Sequence, residues 1–229
     1  MYSFYKTLLN WSEVWPLVLA LTIYFFFKQR ENITIIVWLL GISLLLHTLA
    51  TYISLYTYRV PEPYKNNNIL YNLVAIIKPV LAGLYMLKLK QLKQYKYLKI
   101  TFSLFIVFTI CNFLFIESIF NFSSNMVLAE SILLLIFTLT FFLDAMIDDE
   151  IPLPLNHPAY FFCTAIGLLE CINFFIYLFL FPVFYSNHEF AVLMMNISSY
   201  AFIIYGLILA TGLYINREQP RFFQFSRSI

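Results

Sequence analysis

The chain has 229 residues, of which 62% are hydrophobic and only 11% charged, with a formal net charge of +2 and a mean hydropathy of +0.80. A soluble domain carries about a quarter charged residues, so too few charges are present to coat a water-soluble fold of this size. Apolar runs such as Ile132-Leu133-Leu134-Leu135-Ile136-Phe137 do not alternate with polar residues, which argues against an outer-membrane barrel.

A hydrocarbon core about 30 Å thick needs about 20 apolar residues per helix. Seven such runs follow one another, at Trp11–Phe27, Ile33–Leu55, Ile69–Leu87, Leu98–Phe115, Met126–Leu143, Tyr160–Val183 and Phe190–Ile215. The expected fold is therefore all-α: one polytopic transmembrane domain over residues 1–229, a bundle of seven helices. Lys28-Gln29-Arg30 after the first run is a stop-transfer flank rather than a signal-peptide cleavage site.

Lys and Arg collect in short cytoplasmic loops. With the amino terminus outside, ten fall on inner segments (Lys28, Arg30, Lys88, Lys90, Lys93, Lys96, Lys99, Arg217, Arg221, Arg227) and three on outer ones (Lys6, Arg59, Lys65). That predicts amino terminus out and carboxyl terminus in, in a multi-pass protein of the cell inner membrane. Trp11 and Trp15 are expected at the outer headgroup layer. The outer loop around Pro61 and Pro63 stops a helix by composition. Asp144, Asp148, Asp149 and Glu150 read as a solvated inner loop.

Charges inside a membrane span cost about 2.5–3.5 kcal/mol each at its centre on insertion scales and mark candidate sites. Lys78 in the third run and Glu170 in the sixth project near the midplane, about nine or ten residues from their helix starts at ~1.5 Å each. Asn173 shares a face with Glu170 through i,i+3 spacing. Glu130 is expected about a turn from the outer face, within reach of interfacial water, and Glu117 at the outer end of the fourth run. Asn112 and Asn196 project to the outer half on other helices, and Ser199 and Tyr200 share a face with Asn196. The candidate ligand-binding residues are thus Lys78, Glu170 and Asn173, then Glu130, Asn112 and Asn196, around one polar pocket in the outer half. An interhelical ion pair that fixes register accounts for Lys78 and Glu170 equally well. Pro79 removes a backbone donor beside Lys78 and bends the helix there. His47 reads as a hydrogen-bonded packing residue.

Cys111, Cys163 and Cys171 lack zinc or CxxC spacing and read as small hydrophobes. The last run has no lysine for a retinal Schiff base, and a single intramembrane histidine cannot ligate haem in a pair. No phosphate loop, nucleophile elbow or metalloprotease motif occurs, so no catalytic residue, metal or cofactor is expected. Nucleic acid is excluded as a partner for want of a folded basic domain. The Lys88–Lys99 loop suits anionic lipid headgroups or the acidic inner loop.

Three stretches resemble an uncharacterised family of small seven-helix integral membrane proteins of Bacteroidota. They are Ile151-Pro152-Leu153-Pro154-Leu155-Asn156-His157-Pro158-Ala159-Tyr160, Asn67-Asn68-Ile69-Leu70-Tyr71, and Ser124-Asn125 through Glu130-Ser131. Where that family commonly has a Phe-Trp pair after the proline, this chain has Ala159-Tyr160. Members are often encoded near two-component signalling genes, which implies a sensory or accessory role. The expected function is a non-enzymatic membrane sensor or accessory protein with a cytoplasmic signalling partner. The alternative is a small transporter or an intramembrane lipid-modifying enzyme that uses the same pocket.

Overall fold

The computed structural model describes residues 2–31, 33–59, 66–89, 95–147, 157–184 and 188–218. Parts of several expected features lie outside them: residues 90–94 of the lysine loop, Pro61, Pro63 and Lys65, the acidic stretch Asp148–Glu150, residues 151–156 of the longest resembling stretch, and the tail with Arg221 and Arg227. Among the described residues the chain is all-α. Eight helices follow in order: α1 Tyr2–Asn10, α2 Trp15–Phe26, α3 Thr34–Leu55, α4 Asn68–Lys88, α5 Tyr95–Cys111, α6 Ser124–Ile147, α7 Pro158–Phe184 and α8 His188–Ile215. Lipid offers the backbone no hydrogen-bond partner, so long apolar runs satisfy their own amides as helices.

Six of these, one in each expected run from the second to the seventh, are long and apolar enough to cross a membrane. The first run differs. It breaks over Trp11–Val14, and α2 that follows has 12 residues, about 18 Å of helix and short of a full span on its own. Pro16 causes the break, because it lacks the amide a continuing helix would use and suits the first turn of a new one. The break also turns Trp15 Nε1 into the protein, without a hydrogen-bond partner among the described residues.

Six helices close a ring in which α2 packs on α3, α3 on α4, α4 on α6, α6 on α7, α7 on α8, and α8 back on α2. α5 lies outside against α4 and α6, and only 11% of its span is buried. α2 and α8 run parallel and end on one face, called lower below, where Arg30 N–H donates to Asn216 O and Glu218 N–H to Lys28 O. Lys28 Nζ and Glu218 pair there at 2.9 Å, and Arg217 lies over the Tyr214 ring. Small residues let helices approach: a Cβ on Gly206 of α8 would stand 2.2 Å from Pro16 Cβ of α2. The core of the lower half is apolar, with Leu40, Tyr85, Phe141, Phe162 and Leu213 buried. Asp144, expected in a solvated loop, is instead buried on α6, because that helix runs several residues beyond its apolar stretch.

Candidate functional site: a buried lysine between two glutamates

Lys78, Glu130 and Glu170 come from α4, α6 and α7, three consecutive members of the ring. Lys78 lies ten residues into α4 from the upper face and Glu170 twelve into α7 from the lower, about 15 Å and 18 Å along their helices. Glu130, six residues into α6, reaches the same level from above. The Lys78 ammonium stands 2.6 Å from Glu130 Oε1 and 2.6 Å from Glu170 Oε1. Ser131 Oγ donates to Glu170 Oε2 at 2.7 Å. Glu170 therefore accepts a donor on each oxygen, from Lys78 and from Ser131. Glu130 Oε1 pairs with the same ammonium, but no hydroxyl donates to this carboxylate among the described residues. All three are almost fully withdrawn from the surface, Glu130 at 3% and Glu170 at 1% exposure. Burial of Glu130 corrects the expected access to interfacial water: the ring closes around it, since α6 turns that face toward α4 and α7.

Directly below, the packing turns apolar. Ala82, Leu134 and Ile166 sit one helical turn beneath Lys78, Glu130 and Glu170. With Met86, Phe137, Phe162, Thr138 and Cys163 they surround a mostly apolar cavity of about 10 Å3, at the lower limit for one water molecule. Above and to one side lies a second polar group. Glu13, on the α1–α2 break, places Oε2 2.8 Å from His47 Nδ1 and accepts a bond from the Tyr71 hydroxyl at 3.3 Å. Its side chain keeps 29% exposure. His47 is thus an ion-pair or hydrogen-bond partner as well as a packing residue, edge-on to Tyr71 and Phe202. Tyr177 of α7 stands within electrostatic range of Glu13 and of the Lys78 cluster.

The remaining candidates separate from this centre. Asn173, one turn above Glu170 on α7, accepts from Ser198 Oγ of α8 at 3.1 Å, which ties two helices beside the cluster. Asn196 is exposed on α8, so it does not join the expected pocket. Its face, shared with exposed Tyr200, points out of the ring. Asn112 is fully buried but belongs to another network at the upper face. There α5 ends in a π-turn, Asn112–Ile116. Asn112 Nδ2 donates to Ser123 Oγ at 3.1 Å and to Glu117 Oε2 at 3.2 Å, and the Ser123 hydroxyl also donates to Glu117. Ser123 caps α6 by accepting the Met126 N–H. Asn72 of α4 completes this clamp by donating to the carbonyls of Ile119 and Asn121 at 2.7 and 2.6 Å and accepting the Ser123 N–H.

Glu13, Ser131, Asn72 and Ser123 were not read from the sequence as site residues. Pro16 was the available signal for Glu13: a proline favours the first helical turn, which leaves the acid on the irregular stretch just before it. Among the described residues no group of three or more His, Cys, Asp or Glu could hold a metal ion. Cys163 is buried against Met86, while Cys111 and Cys171 are exposed.

No protein-family model matches the chain, and neither a curated protein nor a solved structure matches it.

Proposed function

We propose that the chain is a non-enzymatic sensor or accessory protein of the cell inner membrane. It crosses seven times, with α2 and the preceding break forming the first crossing, and places its upper face outside. Its ligand site is the Lys78–Glu130–Glu170 cluster together with the Glu13–His47 group above it. The observation that carries this reading is the asymmetry of the interior. Glu13, whose side chain keeps 29% exposure, and Tyr177 lie on the upper side within electrostatic range of Lys78, whereas a tightly packed, mostly apolar floor lies below. Transport requires access from both faces, and the floor opposes it. Charged groups inside a membrane otherwise cost energy without return.

An output route follows from the same geometry. α2 runs from the Glu13 break to Lys28, where it is tied to the end of α8. A change at Glu13 or His47 would tilt α2 against Pro16–Gly206 and shift the lower face, where a cytoplasmic partner would meet the basic segments.

The test is thiol access in oriented membrane vesicles. Cys111, Cys163 and Cys171 are first replaced by serine, and Asn10→Cys, at an exposed position beside the α1–α2 break, and Ala82→Cys, at a buried one, are then compared with a membrane-impermeant reagent. Asn10→Cys is expected to react from the outer side and Ala82→Cys from neither. Labelling of Ala82→Cys from the inner side would show a through-path and replace sensing with transport.

A further inference from the structure

The three side chains at the centre carry one positive and two negative charges. Every other ionisable group that faces them has a partner of its own or is neutral in its ordinary form. Glu13 of the α1–α2 break is matched by His47 of α3 and Tyr71 of α4. Tyr177 of α7 and Tyr205 of α8 face the cluster as phenols. Ser131 of α6 spends its hydroxyl proton on Glu170. The cluster is therefore short by one unit of positive charge in a dry interior, where an uncompensated ion costs several kcal/mol.

We infer that Glu130 holds one exchangeable proton, and that this proton is the ligand the site binds and releases. The geometry separates the two carboxylates. Glu170 is saturated by Lys78 and Ser131 and serves as the permanent counterion of Lys78. Glu130 pairs with the ammonium through Oε1 but, among the described residues, receives no hydroxyl donor of the kind Ser131 supplies to Glu170, so it is the acid free to change state. A metal cation fits less well, because the ammonium already occupies the space between the carboxylates. The proton enters from the side of Glu13 and His47, since the floor below is apolar. Uptake and loss change the charge facing Lys78 by one unit, beside Pro79, whose missing amide leaves the Ala75 carbonyl without its helical donor. The step is a proton transfer alone: an O–H bond forms at Glu130 and breaks at the donor, with no change of oxidation state.

This inference deepens the proposed ligand site, yet its test does not depend on which face is open. Purified protein in lipid nanodiscs is examined by infrared spectroscopy at neutral pH in choline buffer, where a protonated carboxyl shows its own carbonyl band. Wild type is expected to show such a band, and Glu130→Gln is expected to lose it while remaining folded, because that change balances the charge. Should Glu130→Gln fail to fold, Glu130→Asp keeps the acid and is expected to shift the band. A band unaffected by either variant, or no protonated carboxyl at all, overturns the inference. So does a band that falls when sodium or potassium replaces choline, because the occupant is then a metal cation. Thiol labelling of Ala82→Cys from the inner side would refute the sensing reading and leave the Glu130 band untouched.

Discussion

Two polar networks share α4, with Asn72 and Lys78 six residues apart, about 9 Å along the helix, and they are built on opposite terms. In the upper clamp, neutral amides and a hydroxyl bind loop carbonyls and cap a helix. Glu117 lies at the edge of that clamp, and its carboxylate accepts from Asn112 and Ser123. In the centre, charge is present in excess and only Glu170 has both oxygens engaged. A largely neutral network stabilises a loop, even with Asn112 Oδ1 left without a partner among the described residues. A cluster with unbalanced charge in a dry interior costs stability and marks a candidate site. Burial alone does not distinguish them, for Asn112 and Glu170 are equally hidden. Charge balance does.

The sharpest way to break this contrast is Lys78→Met, which leaves the buried Glu170 carboxylate, and Glu130 beside it, without their cation. A loss of about 3–5 kcal/mol is expected, measured by unfolding in nanodiscs or mild detergent. Adding Glu130→Gln and Glu170→Gln should recover most of it. If Lys78→Met alone is as stable as wild type, the centre is not an ionic cluster. In the clamp, Asn72→Ala should cost on the order of 2 kcal/mol by leaving buried carbonyls unpaired. Its effect should add to that of Glu130→Gln within about 0.5 kcal/mol, as expected for sites without shared partners. Strong coupling between the two would merge the networks.

Gly206→Ala tests the contact between α8 and α2, beside Tyr205, which faces the centre. The added Cβ would meet Pro16, and overpacking of this kind costs about 1–3 kcal/mol. The neighbour is a proline ring and its backbone rather than a flexible tip, so α2 itself must shift. An unchanged midpoint would mean α8 does not brace α2.

The smallest effect is expected at His157, which contrasts a group at the lower end of α7 with the dry centre. Its Nδ1 accepts the Ala159 N–H at 3.1 Å and caps α7, a role only the unprotonated ring can fill. Burial lowers its affinity for a proton below the ordinary histidine value, with Glu31 acting in the opposite sense. Since the folded value lies below the unfolded one, this contribution is present above about pH 6.5. It is lost as pH falls through the depressed folded value. His157→Asn keeps a cap without titrating and should abolish that acid-dependent loss, which is about 1 kcal/mol or less. Persistence of the same pH slope in His157→Asn would assign it elsewhere.

Composition and apolar run length determined that this chain forms membrane-length helices, because lipid leaves a backbone no other way to pair its amides. Intramembrane charge likewise marked Lys78, Glu170 and Glu130 before any fold was known, since charge in hydrocarbon is rare enough to stand out in one dimension. Which polar residues meet was decided only by the tertiary structure. Asn112 and Asn196 were grouped by their position along their helices, but that position says nothing about rotation: one side chain turns into a loop clamp and the other out of the ring. Glu13 stayed hidden in an apolar run until Pro16 broke the helix and set that carboxylate against His47, 34 positions away. Contacts between distant segments depend on how helices are rotated and ordered around the ring, and that packing is settled jointly by all of them.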